Sequence, residues 1–346
     1  MDVCLDLIRT FDRQAQPTMR NLILLLASTA ALSANATIHR VNNTGIAADF
    51  TTLQAAHDAA ADGDTIHVEP SASSYGACTF TKPLVVIGPG YFLNLNAGLQ
   101  ATSATAITGG LIFEAGSEGC AVSGLDVQGA SQVKASFVRV ERCRFSAGGA
   151  DFSIAYPFGG LNLTGIVVNS CHVANGFVVG FSGTTLNDLT ISNTVARTFN
   201  FGTGGNTTGE LINCIGLGSG TTALFGGSGM SISNCIFGPF VTPGTSSYSN
   251  NLFAGAPMAA TNGNQIDVDL STVFVGGTGD AQFQLAPGSP AIGAGMGGVD
   301  CGLFGGSEPY KLSGIPPVPS IFTLSAPTST DQGTPLQVTI SSRANN

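Results

Sequence analysis

One short phrase recurs through the middle of the chain, and it constrains the fold more than any other feature. It reads Val140-Glu141-Arg142-Cys143-Arg144-Phe145, then Val168-Asn169-Ser170-Cys171-His172-Val173 and Ile191-Ser192-Asn193-Thr194-Val195-Ala196. It returns as Leu211-Ile212-Asn213-Cys214-Ile215-Gly216, Ile232-Ser233-Asn234-Cys235-Ile236-Phe237 and Tyr248-Ser249-Asn250-Asn251-Leu252-Phe253. The copies lie 16 to 28 residues apart, enough for a strand and a turn but too little for a domain. Units of this size bury their apolar faces only against one another, so the pattern predicts a solenoid. Side chains alternate along a strand, which sends Val140, Val168, Ile191, Leu211, Ile232 and Tyr248 inward as one column. Phe145, Val173, Ala196, Gly216, Phe237 and Phe253 form another, with the cysteine positions between them. The residue before the cysteine column is asparagine in four successive copies, which reads as a ladder of left-handed turns.

These columns resemble the right-handed parallel β-helix of the pectate lyase-like superfamily. The stretch Asp49–Ala60, followed by Asp62-Gly63-Asp64-Thr65-Ile66-His67-Val68 and Lys82–Gly90, strengthens the likeness. In that superfamily a short helix covers the open end of the coil before the first rungs. The residues support a helix by themselves. Thr51 or Thr52 can cap it, Leu53, Ala56 and Ala60 share a face, and Gly63 can end it. The resemblance spans residues 38–255 and implies an all-β, right-handed parallel β-helix solenoid with a short N-terminal capping helix. It implies no single activity, because such coils serve enzymes and non-enzymes alike.

The formal net charge of −9 argues against nucleic acid and anionic membranes as partners. Met19-Arg20-Asn21, an apolar run from Leu22 to Ala27, and Ala34-Asn35-Ala36 read as an export leader cleaved after Ala36. Nothing beyond it is long and apolar enough to span a bilayer, so the mature chain is expected to have no integral membrane span. Cys143 with Cys171, and Cys214 with Cys235, stand on adjacent rungs ~4.8 Å apart, within disulfide reach. Parallel side chains in one column would strain that bond, so free thiols are the expectation.

After residue 255 the repeat fades. Gln282–Gly295 and Asp300–Gly306 read as a closing segment, and Tyr310–Pro319 as a proline-rich boundary. These phrases resemble the ends of exported β-helix proteins of Bacteroidetes. Leu336–Ile340 reads as one further strand, with no sorting module recognised after it. The expected organisation is upstream residues and leader over 1–36, the β-helix with its cap and closing segment over 37–310, and a boundary with a C-terminal β element over 311–346. The expected location is extracellular or cell-surface, with the periplasm left open.

Chemistry is sparse. Lyases on this fold, by resemblance, use calcium and a basic side chain, and calcium needs several convergent oxygens. One dense charged region offers Arg139, Arg144 and His172 as candidate catalytic groups and Asp126 and Glu141 as candidate calcium ligands. The bland reading is a solvated charged face. The polygalacturonase-like Asn-Thr-Asp, Asp-Asp and Gly-His-Gly patterns are absent, and a hydrolase would need paired carboxylates. Val195, Ile215, Ile236 and Leu252 follow Arg144 and His172 in an outward column, a stripe suited to a partner or to a covering segment of the chain itself. The expectation is a non-catalytic exported scaffold or adhesion protein with a polysaccharide or cell-surface partner and no cofactor. The alternative is a calcium-dependent lyase acting on acidic polysaccharide.

Overall fold

A computed structural model describes residues 36–157, 159–180, 182–202 and 205–345. The leader read at Met19–Ala36 therefore lies outside the described residues, apart from Ala36. Thr37–Asn346 forms the unit that holds the solenoid, a parallel coil of about 8 turns.

Three ladders make its walls. The first stacks Ile38–Val41, Thr65–Val68, Val85–Ile87, Ala121–Ser123 and Arg139–Glu141, and continues through Val167–Asn169 to Ser247–Ser249, every neighbour parallel. The second runs from Ile107–Thr108 through Asp126–Val127 and Arg144–Phe145 to Ile215–Gly216, Ile236–Phe237 and Leu252–Phe253. The third runs from Cys78–Phe80 through Leu111–Phe113 and Ser131–Val133 to Leu224–Phe225 and Val241–Thr242. Two longer strands, His172–Val179 and Val195–Asn200, serve both the second and third ladders. Their register shifts between Val173 and Gly176, at the corner between the two walls.

The expected columns exist in register. Val140 pairs with Val168, which pairs with Ile191, and the series continues through Leu211 and Ile232 to Tyr248. The second column, Phe145 to Phe253, is likewise paired rung by rung. Phenylalanine rings fill the third wall: Phe80 stacks on Phe113 at 5.0 Å, and Phe152, Phe177 and Phe199 follow at 5.1 and 5.6 Å. Each fully buried ring contributes about 1.5–3 kcal/mol, so the stack is a main source of stability along the axis.

The turn ladder is also present. Arg142, Ser170, Asn193, Asn213, Asn234 and Asn250 all have φ between 46° and 55°. That left-handed geometry is what asparagine tolerates best among residues with a side chain.

The helix spans Leu53–Ala59, with the Thr52 hydroxyl accepting from the Ala55 amide. Leu53 and Ala56 are fully buried in the core formed with Ile66 and Phe80. Two polar side chains, His57 and Lys82, clamp the helix to the coil. The Thr81 amide donates to His57 Nε2 at 3.1 Å, and Lys82 Nζ donates to the carbonyls of His57, Asp58 and Ala60. Lys82 thereby satisfies carbonyls that a helix end leaves open.

The last strand differs from its expected bounds. It covers Thr339–Arg343 and pairs antiparallel with Ser320–Ser325 in a separate two-stranded sheet.

Candidate functional site

The charged region does not form one site. Arg139 and Glu141 project outward from the first ladder and pair with each other at 2.5 Å. Arg144 and Asp126 lie on the second ladder, across the left-handed turn at Arg142. Strand alternation alone would place Arg139, Glu141 and Arg144 outside together, but a coil has several outsides, and the turn sends the strand ends to different walls. Asp126 and Glu141, the calcium candidates, likewise stand on different ladders. Among the described residues no group of three or more His, Cys, Asp or Glu side chains converges.

Arg144, Asp126 and His172 do meet, on three successive rungs in register. Arg144 Nη1 donates to both Asp126 oxygens, at 3.0 and 3.1 Å. The guanidinium lies 4.8 Å from the centre of the Phe92 ring, and that ring meets His172 edge-on at 5.3 Å. Phe283 also packs against the imidazole, with ring centres 6.3 Å apart. Burial, and then the neighbouring Arg144 charge, push the His172 pKa down to about 4. A neutral imidazole results, roofed by two phenylalanines. Its Nδ1 and Arg144 Nε are buried and make no hydrogen bond. Two distant segments thus partly cover the cluster, and Arg144 keeps 24% of its side chain exposed.

The outward stripe is closed too. Val195, Ile215, Ile236 and Leu252 are at most 1% exposed, packed against Val273, Phe283, Ala291, Cys301 and Leu303. The partner-surface reading therefore gives way to the covering-segment reading: the chain supplies its own occupant. Burying these apolar surfaces together removes about 25 cal/mol per Å² from the cost of exposure, which is why an apolar column is not left open.

That segment is a strap running back along the coil, and the turn ladder holds it. Asn250 Nδ2 donates to Ala294 O, and Asn234 Oδ1 accepts from the Met296 amide. Asn213 Nδ2 donates to Asp300 O and Gly302 O, and Asn193 Nδ2 to Leu303 O and Gly305 O. Arg142 Nη1 reaches Ile315 O at 2.8 Å and Asn345 O at 3.2 Å. The rung numbers fall as the strap numbers rise, so its direction is opposite to coil growth.

A buried carboxylate pins the far end. Asp280 is fully buried and accepts from Asn96 Nδ2 at 2.7 Å, the Ser313 amide at 2.6 Å and the Tyr310 hydroxyl at 3.1 Å. The Tyr310 hydroxyl in turn bonds that of Tyr91 at 2.5 Å. Sequence reasoning missed Asp280, Tyr91, Tyr310 and Phe92, which lie up to 219 residues apart and carry no local signal. The asparagines were visible, but only as turn formers.

The cysteine column is a column of free, buried thiols. Burial pushes Cys120, Cys143 and Cys301 up to about 12. Asp64, between the helix and the first rungs, is used locally: it accepts from the Thr37 and Ala61 amides and from His39, which hold it down at about 2.

Fold and site together define a parallel β-solenoid protein whose apolar stripe is covered by a strap of the same chain, beside a half-buried Asp126–Arg144–His172 cluster. No family model matches the chain, and no curated protein or solved structure matches it.

Proposed function

We propose that this is an exported, non-catalytic scaffold or adhesion protein built on a right-handed β-helix, with the helix Leu53–Ala59 closing its N-terminal end. The observation that carries the reading is the commitment of the candidate catalytic residues to structure. Arg144 is bound to Asp126, His172 is neutral beneath Phe92 and Phe283, and Arg139 is paired on another wall. Export is supported by the leader-like Met19–Ala36, and the superfamily likeness by the cap-and-rung phrases from Asp49 to Gly90. The right-handed sense follows the general rule for parallel crossovers. Among the described residues no helix is long and apolar enough to cross a membrane. Acidic charge disfavours nucleic acid and leaves a polysaccharide or cell-surface partner as the fitting class.

The test is turnover of the full chain against a panel of acidic polysaccharides with and without calcium, followed by absorbance of new double bonds and paired with a cell-binding assay. The expected result is surface binding without turnover. A calcium-dependent signal that vanishes in Arg144→Ala would replace this reading with the polysaccharide lyase.

A further inference from the structure

An open groove of about 310 Å³ lies on the corner between the second and third ladders, away from the strap. Two rungs build it. Asn175 and Gly176 come from the strand His172–Val179, and Arg197, Thr198 and Asn200 from Val195–Asn200, with Thr221 at the rim. Gly176 pairs with Thr198, so the lower rung places no side chain beneath the threonine.

The chemistry of the lining is one-sided. Arg40, Lys134, Arg139 and Arg144 each have a carboxylate partner. Arg197 does not. Its Nε and Nη2 donate to the Ser219 carbonyl at 3.1 and 2.9 Å, which orients the guanidinium without neutralising it. Nη1 has no partner among the described residues, and no acidic side chain lines the groove. The Asp151 carboxylate behind Asn175 is fully buried and occupied by the Gly148 and Asn175 amides and by Asn175 Nδ2. It holds Asn175 by its amide nitrogen. Asn200 Oδ1 is taken by the Gly202 amide, which leaves its NH₂ group as a donor. The groove thus offers a fixed cation, an amide donor, the Asn175 Oδ1 acceptor and a pair of threonine hydroxyls, Thr198 and Thr221, that bond each other at 3.3 Å.

A second feature adjoins it. Phe225 pairs directly with Asn200 on the next rung and is 42% exposed. A ring on the outer face of a strand, ~4.8 Å from a polar subsite, presents a flat apolar surface to whatever continues out of the groove. The negative face of an aromatic ring attracts polarised C–H bonds, the kind on the apolar side of a pyranose.

We propose that this groove binds one unit of an anionic saccharide. Its carboxylate or sulfate ester lies on Arg197, its hydroxyls on Asn200, Thr198 and Thr221, and the next unit stacks on Phe225. Guanidinium binds planar oxyanions by charge-assisted hydrogen bonds, and the polar remainder matches a hydroxylated ligand. The inference rests on reading the solenoid as a surface-binding scaffold and names the chemistry it would read.

The experiment is calorimetric titration of the full chain at 0.15 M salt, which screens its overall negative charge. The probes are an oligouronate, the same oligosaccharide with its carboxyl groups reduced, and a sulfated oligosaccharide of equal length. Binding of a charged probe over the reduced one, with a roughly tenfold or greater loss in Arg197→Gln and a smaller loss in Phe225→Ala at unchanged melting temperature, supports the site. The tighter of the two charged probes identifies the anion. Equal binding of the reduced probe, or wild-type affinity in both variants, overturns the groove. Wild-type affinity in the variants, with cell binding intact, leaves the scaffold reading standing. Turnover of any probe overturns the scaffold reading instead.

Discussion

At the residue scale the turn-ladder asparagines carry two duties. Each accepts a left-handed φ, and each holds the strap by its side chain. Substitution separates the two. Asn213→Gly keeps the turn and loses the bonds to Asp300 and Gly302, whereas Asn213→Ala loses both. Urea denaturation should show a loss of about 1–2 kcal/mol for glycine and about 1 kcal/mol more for alanine. Equal losses would mean that turn strain is irrelevant there. His172 gives a pH signature. Its folded pKa is depressed below the ordinary 6.5, to about 4, so the unfolded chain binds the proton more readily. Its contribution is fully present above pH 6.5 and is lost as pH falls toward 4, a ceiling of about 3 kcal/mol. Asp64, held at about 2, keeps its contribution above pH 3.8 and loses it toward pH 2. Stability measured from pH 8 to 4 should fall in the wild type and flatten over 6.5–4 in His172→Phe. An unchanged slope would exclude His172 as its source.

At the element scale the strap and the ladders depend on each other. Ile236 is fully buried beneath the strap, and Gly302 comes close enough that a Cβ there would meet the isoleucine δ-carbon at 2.8 Å. Ile215→Lys or Ile236→Lys would bury a charge without a partner. Both variants are expected to lose several kcal/mol or fail to fold, rather than to lose an association. Asp280→Asn is gentler: it removes the charge, turns one of the two accepting oxygens into a donor so that at least one of the three bonds is lost, and should release the 281–313 segment first. Limited proteolysis with mass mapping should place the earliest new cut in that segment while the coil from Ile38 to Phe253 persists. Simultaneous digestion of coil and strap would show that they unfold as one unit. The thiol column makes a separate prediction. Buried free cysteines should resist alkylation in the native state at pH 8 and all react after unfolding. A mass deficit of two hydrogens would reveal a disulfide instead.

At the scale of the whole molecule, what could be read in advance was whatever repeats. The columns from Val140 to Tyr248 and from Phe145 to Phe253, the left-handed turns, and the helix with its threonine cap are all local patterns renewed rung by rung. Spacing and alternation carry them in full, because a solenoid rung buries its side chains against near-copies of itself. The candidate site was legible only in part. Arg144, Asp126 and His172 met because they share a rung position. Arg139 and Glu141 parted from them because one left-handed residue, Arg142, turns the strand onto another wall. Strand alternation distinguishes inside from outside, but it cannot say which outside.

The sequence by itself thus determined the coil, its inward columns and its turns, since neighbouring rungs within about 30 residues impose each of them. Only the tertiary structure decided what covers the second wall. Phe92, Asp280 and Tyr310 are brought together by the return path of a strap that bears no repeat. Its position follows from the summed burial of the Val195–Leu252 stripe and from hydrogen bonds spanning up to 219 residues. Such contacts form between partners that share no local pattern, so they exist only once the chain has closed on itself.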